Sequence, residues 1–220
     1  MPRTARAIVG GLCYHVINRG NARATVFHNE ADYKAFLTLM KIASERIPMR
    51  ILAYCLMPNH FHLVLWSHDD GDISRWMHWL LTAHTKRHHR IRKSSGRIWQ
   101  GRFKAFPIQQ DRHLLTVMRY VERNPLRANL VASAADWSWS SISRDSAVVG
   151  ELQGEGPVVR PDNWHEIVDT PHTQQEIDAL RRCSAKNTPY GSATWAQSTA
   201  EKLGLLSSLR ERGRPKWGHS

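Results

Sequence analysis

Met57-Pro58-Asn59-His60-Phe61-His62-Leu63-Val64-Leu65-Trp66 sets two histidines one residue apart at the mouth of a β-branched, aromatic-rich run. In a strand, side chains at i and i+2 share a face, roughly 7 Å apart. Both imidazoles can therefore reach one small object while Phe61 points into a core. Pro58-Asn59 marks a turn, which puts the pair at a strand entrance. Neutral imidazoles so arranged suit a divalent metal. Packed or hydrogen-bonded histidines have the same spacing, and the pair alone leaves both readings open.

A second group runs from Asp111 to Pro125. Leu114, Val117, Met118 and Val121 recur at helical spacing as one apolar stripe, with Asp111 as N-cap. Tyr120 falls off the stripe, and Asn124, one turn on, can share its face. Pro125 disfavours the helical region for Asn124, so the helix is expected to end there. Spacing admits a shared Tyr-Asn face. It equally admits a tyrosine packed beside the stripe and an asparagine that caps the helix.

Taken with Tyr120-Val121-Glu122-Arg123-Asn124-Pro125, the His60-Phe61-His62 motif resembles the HUH single-tyrosine (IS200-like) transposases of bacterial insertion sequences. It is more similar still to the REP-associated tyrosine transposases, relatives linked to repetitive extragenic palindromes (REPs). The likeness extends to His15-Val16-Ile17-Asn18-Arg19-Gly20-Asn21, Asp32-Tyr33-Lys34-Ala35-Phe36, Trp99-Gln100-Gly101-Arg102-Phe103-Lys104 and Asn124-Pro125-Leu126-Arg127-Ala128 with Leu130-Val131. It covers roughly residues 10 to 140, in order, and several motifs agree at once.

The resemblance implies that His60 and His62 bind a divalent metal (Mg²⁺ or Mn²⁺), with Asn124 as third ligand through its side-chain oxygen, and that Tyr120 is the nucleophile. A phosphodiester repels nucleophiles, and a cation on a non-bridging oxygen withdraws charge and orients the phosphate. Mg²⁺ prefers oxygen ligands, whereas Mn²⁺ accepts imidazole readily. Tyrosine has a reference pKa of about 10, and a nearby cation (the metal, Lys104 or Arg123) would ease its ionisation. The implied reaction leaves a 5′-phosphotyrosine and a free 3′-hydroxyl, so strands can be rejoined without a nucleotide. The chain has no Walker sequence.

Lys plus Arg total 31 against 19 Asp plus Glu, a formal net charge of +12 with pI near 10.2. So basic a chain suggests a polyanion, above all nucleic acid. Arg19, Lys86, Arg87, Arg90, Arg102, Lys104, Arg123 and Arg127 are the candidate DNA-binding residues. Arg212 and Arg214 join them in an Arg-Gly-Arg-Pro tail that resembles a minor-groove hook. His84-Thr85-Lys86-Arg87-His88-His89 reads as a basic DNA-facing surface, since no Glu separates the histidines as in H-E-x-x-H. Trp137 and Trp139 read as a packing turn. The three cysteines, far apart and without C-x-x-C spacing, fit reduced cytoplasmic thiols. No apolar run approaches a membrane span.

These residues need elements to position them. Strands are expected at 12–18, 50–56, 61–66 and within 98–108, and helices at 29–47, 72–92 and 112–123. That order gives an α+β fold, a ferredoxin-like, RRM-like antiparallel sheet with helices packed on one face, as in the implied HUH domain. The histidine strand would be central, with the tyrosine helix beside it. Domains are expected at 1–145 (nuclease), 146–172 (flexible linker) and 173–220, a helical and basic C-terminal extension that grips DNA or occludes the site.

The expected function is a sequence- and structure-specific single-stranded DNA endonuclease and strand transferase. It would act on REP hairpins in the cytoplasm as a monomer, with a dimer as the alternative. A catalytically idle hairpin-binding regulator and an RNA-binding module are the competing classes. The chain lacks the RRM signature motif.

Overall fold

Leu52-Ala53-Tyr54-Cys55-Leu56-Met57 is apolar throughout, and a strand of that pattern requires cover on both faces. The computed structural model describes residues 8–144, 152 and 154–210. In it β1 (Cys13–Arg19), β2 (Met49–Met57), β3 (His60–Ser67) and β4 (Lys104–Ile108) form one sheet in the order β2-β3-β1-β4, antiparallel throughout. This α+β sheet has the strand order of a ferredoxin-like fold, with the histidine strand inside it. The strand expected within 98–108 is shorter than its window. Gly101 adopts φ +131, which interrupts extended backbone, and Trp99 keeps only a single bridge to Gly20.

Helices α1 (Glu30–Arg46) and α2 (Asp72–Arg92) cover one face. Asn29 caps α1 by accepting the Asp32 N–H, and Tyr33, Phe36, Leu37 and Met40 turn inward onto Phe61, Leu63 and Leu65. The other face is covered by α3 (Arg112–Glu122), whose Leu114, Val117, Met118 and Val121 are all buried against Cys55, Val64 and Phe106. Burying four such side chains contributes about 1.5–3 kcal/mol each before entropic costs. The expectation of helices on one face therefore holds for α1 and α2 and is corrected for α3. The cause is the two-sided apolar character of β2.

The helix does not simply stop before Pro125. It breaks at Arg123, and a short α4 (Asn124–Arg127) starts anew with Pro125 in its first turn, where a missing N–H costs nothing. Trp137 and Trp139 pack as expected: Trp137 Nε1 donates to Leu56 O at 2.9 Å, and Trp139 stacks on Tyr33. Residues 146–172, expected as a flexible linker, include α5 (Trp164–Asp169), with Trp164 and Val168 buried in the α3 face. Then follow α6 (Gln174–Lys186), which opens with a Thr173–Glu176 capping box, α7 (Ala193–Lys202) and α8 (Leu206–Leu209).

Candidate active site

Strand alternation puts His60 and His62 on the sheet face that α3 covers, toward one end, with Phe61 turned to the opposite core. Their rings lie 5.0 Å apart. Each Nδ1 already has a partner. His60 Nδ1–H donates to Asn59 Oδ1 at 2.6 Å, and His62 Nδ1 lies 2.8 Å from Nε2 of buried His15, whose ring stacks on it. Asn59 is itself held, donating to Arg23 O at 3.1 Å. Gly20, whose N–H donates to Asn59 O at 2.7 Å, closes this turn; a Cβ there would meet Ala24 O at 2.3 Å. Nε2 is thus the nitrogen each histidine has left for a ligand.

Burial lowers the His60 pKa to about 4, with Arg19 and Arg127 adding to the effect. His62 is held well below the ordinary value by burial, then by its neighbours His15 and His60. Both imidazoles are therefore neutral at pH 7, with lone pairs available. The apolar stripe of α3 delivers Tyr120 to the same place. Its ring centroid is 5.9 Å from that of His62, and the Arg127 guanidinium sits 4.4 Å above it. Burial pushes the phenols of Tyr14, Tyr33 and Tyr190 up to about 12 and that of Tyr54 higher, which disfavours them as nucleophiles.

His60, His62 and Tyr120 line a cavity of about 610 Å³. Arg19, Arg102, Lys104, Arg127 and Arg181 line it too, and among the described residues no carboxylate does. Such a wall suits an anion. Two neutral nitrogens beside an open cavity also fit a divalent cation that accepts imidazole. Among the described residues no group of three or more His, Cys, Asp or Glu forms a closed metal cage, so a bound phosphate would supply the missing negative charge.

Of the candidate DNA-binding residues, Arg19, Arg102, Lys104 and Arg127 line the cavity. Asn124 does not line the cavity. It is buried, its Oδ1 accepts from Arg127 at 2.9 Å, and its amide donates to Tyr120 O. Arg87 is not a free DNA-facing cation. It pairs with Asp32 at 3.1 Å and, together with Arg92, fastens α2 to α1. Arg123 is likewise committed, donating to Val168 O and Asp169 O at the end of α5. Lys86 and Arg90 are exposed on α2. His84 is corrected from the basic surface to the core, packed on Phe27, Phe36 and Trp99. Arg212 and Arg214 lie outside the described residues.

Sequence reasoning missed His15, which supports His62 from the neighbouring strand. It also missed His172, edge-on to Tyr120 at 6.0 Å, and the α6 residues Arg181, Ser184 and Ala185, which wall the cavity. Only the cross-strand register of His15 could have signalled its role; the others depend on tertiary packing. Glu122 was missed as well. Its buried carboxylate accepts from Ser141 Oγ (2.6 Å), Trp164 Nε1 (2.7 Å) and Arg160 (3.3 Å), while Arg160 also donates to Leu52 O in β2. It fastens the tyrosine helix two residues beyond Tyr120.

A central histidine strand faces a single tyrosine helix, and the family comparison gives that arrangement a name. The profile of the family "Transposase IS200 like" matches residues 8–124, more than half of the chain, and the chain belongs to that family. It is 28% identical over 151 residues to a Haemophilus influenzae protein whose name places it among the REP-associated tyrosine transposases, covering 62% of this chain and 82% of that one. It is 26% identical over 143 residues to the REP-associated tyrosine transposase of Escherichia coli K12, covering 64% and 81%. Among solved structures, a REP-associated tyrosine transposase bound to a REP hairpin shares the fold. Its TM-score is 0.51 at 21% identity, over 72% of this chain and 93% of the other. No helix among the described residues is long and apolar enough to cross a membrane.

Proposed function

We propose that this chain is a metal-dependent, sequence- and structure-specific single-stranded DNA endonuclease and strand transferase acting on hairpin-forming REPs. The observation that carries the reading is the convergence of neutral His60 and His62 with Tyr120 in a cation-lined, carboxylate-free cavity. Its support is the family membership and the two REP-associated relatives.

Arg19, Arg102, Lys104 and Arg127 hold the phosphodiester against Tyr120 and offset its charge. The Tyr120 oxygen bonds to phosphorus, the P–O3′ bond breaks, and the phenolic proton ends on the departing 3′-hydroxyl. The product is a 5′-phosphotyrosine, and attack by a 3′-hydroxyl reverses the step to rejoin strands. A divalent cation held by His60 and His62 would polarise the phosphate. Asn124, whose Oδ1 accepts from Arg127 and has a second lone pair, would be the third ligand. His15 and Asn59, by occupying the Nδ1 atoms, orient the two rings. Arg127, stacked on Tyr120, keeps the ring beside the histidines. The proposed site needs no residue from a second copy, and action as a monomer in the cytoplasm is part of the proposal.

Labelled REP hairpins with single-stranded flanks, incubated with protein and Mn²⁺ or Mg²⁺, test the proposal on denaturing gels. One discrete nick, abolished by EDTA and by His60→Ala, is expected. Hairpin that is bound but uncut under every condition would sink the nuclease and leave a DNA-binding regulator.

A further inference from the structure

A second groove opens from the first. It encloses about 740 Å³ between α2 and residues 97–103, and it shares Gln100 and Arg102 with the active-site cavity. One face of α2 forms its long wall, where Ser74, Thr82 and Thr85 present hydroxyls and half-buried Leu81 an apolar floor, Met77 beside it being fully buried. Lys86 and Arg97 stand exposed at its rim with Arg102. Among the described residues none of these three cations has an ion-pair partner, and no Asp or Glu lines the groove. Arg87 and Arg92, on the same helix, share the single carboxylate of Asp32. Of the exposed cations on α2 and the segment facing it that have no ion-pair partner among the described residues, Lys86, Arg97 and Arg102 line the groove and Arg90 does not.

We propose that this groove is the track for the single-stranded DNA that flanks the cleaved phosphate; this rests on the DNA reading above. Charge complementarity selects a polyanion, and continuity through Arg102 leads it from the phosphate held beside Tyr120. From Ser74 to Lys86 the wall runs about 18 Å at 1.5 Å per residue. At the roughly 3.4 Å per nucleotide of a base-stacked strand that is about five nucleotides, and fewer for an extended one. An apolar floor with hydroxyls and cations along its edges suits one strand, whose bases can lie on the floor while its phosphates meet the rim. A duplex keeps its bases stacked inward and would leave that floor unused.

The test compares wild type with Lys86→Ala/Arg97→Ala, two exposed changes whose fold circular dichroism checks. Both proteins carry Tyr120→Phe so that DNA stays uncut. Binding to a blunt REP hairpin and to hairpins with 5′ or 3′ single-stranded flanks is measured by anisotropy over a salt series. Each lost single-strand phosphate contact lowers the slope of log K against log salt by about 0.7. The double variant should lose about 1.4 of slope on a flanked hairpin and nothing on the blunt one. Equal losses on blunt and flanked hairpins, or no loss on either, would overturn the track. Nicking by the Tyr120-intact double variant is scored separately, so that failure of the groove and failure of the nuclease reading are told apart.

Discussion

Replacing Glu122 with alanine should detach the tyrosine helix from its surroundings without touching the cavity. The carboxylate is 1% exposed and accepts from three groups on two segments, Ser141 and the 160–164 stretch. Its loss leaves the Trp164 N–H buried without an acceptor, costing about 1–3 kcal/mol, while the Ser141 O–H keeps Tyr54 O. Arg160 loses a counter-ion, and breaking a buried pair costs about 3–5 kcal/mol. The costs overlap because one group makes all the contacts, so a loss of about 4 kcal/mol is expected. At about 2–4 °C per kcal/mol for a chain of this size, Tm should fall by about 8–16 °C. Burial holds the Glu122 pKa above the ordinary carboxylate value, so neutral Glu122→Gln is the milder change, at about 1–3 kcal/mol. Thermal and urea unfolding of both variants measure the difference. A Glu122→Ala protein melting within about 2 °C of wild type would refute the hub.

His15→Phe keeps a buried ring but leaves His62 Nδ1 without its partner; Mn²⁺ affinity, measured calorimetrically on the hairpin complex, should fall about 10–100-fold. His15→Gln, which keeps an acceptor, should recover part of it. Burial depresses His15 and His84 to about 3 and His60 to about 4. Below pH 6.5 the unfolded chain takes up protons that the fold refuses. Stability should therefore be full above 6.5 and fall toward pH 4 by up to about 1.4 kcal/mol per unit for each histidine. Urea midpoints that stay flat from pH 7.5 to 5 would contradict this. Arg87→Ala should lower stability and leave the salt slope of DNA binding unchanged, whereas Arg102→Ala should lower the slope by about 0.7–0.9; anisotropy titrations distinguish the two.

The placement of His60, His62 and Tyr120 was legible where it is written contiguously. Strand alternation pairs His60 with His62, and the stripe through Leu114, Val117, Met118 and Val121 leaves Tyr120 free to face them. What lay hidden depends on partners distant in sequence. Arg87 and Arg123 count as positive charge in any composition, yet Asp32 and the carbonyls of Val168 and Asp169 had already claimed them. His84 sits in a basic run, but its helix turns it inward onto Phe36 and Trp99. The unbroken apolar run of β2 did announce a sheet covered on both faces, and that signal was in the sequence. The wall contributed by α6 was not, because it depends on where the C-terminal segment docks.

The central claim is that Tyr120 makes the covalent bond to DNA. A nicking reaction quenched in denaturant, digested with nuclease and protease and read by mass spectrometry tests it directly. The account predicts the peptide containing Tyr120 carrying a 5′-linked nucleotide, with neither adduct nor nick from Tyr120→Phe. An adduct on another residue, or nicking that survives Tyr120→Phe, would contradict it.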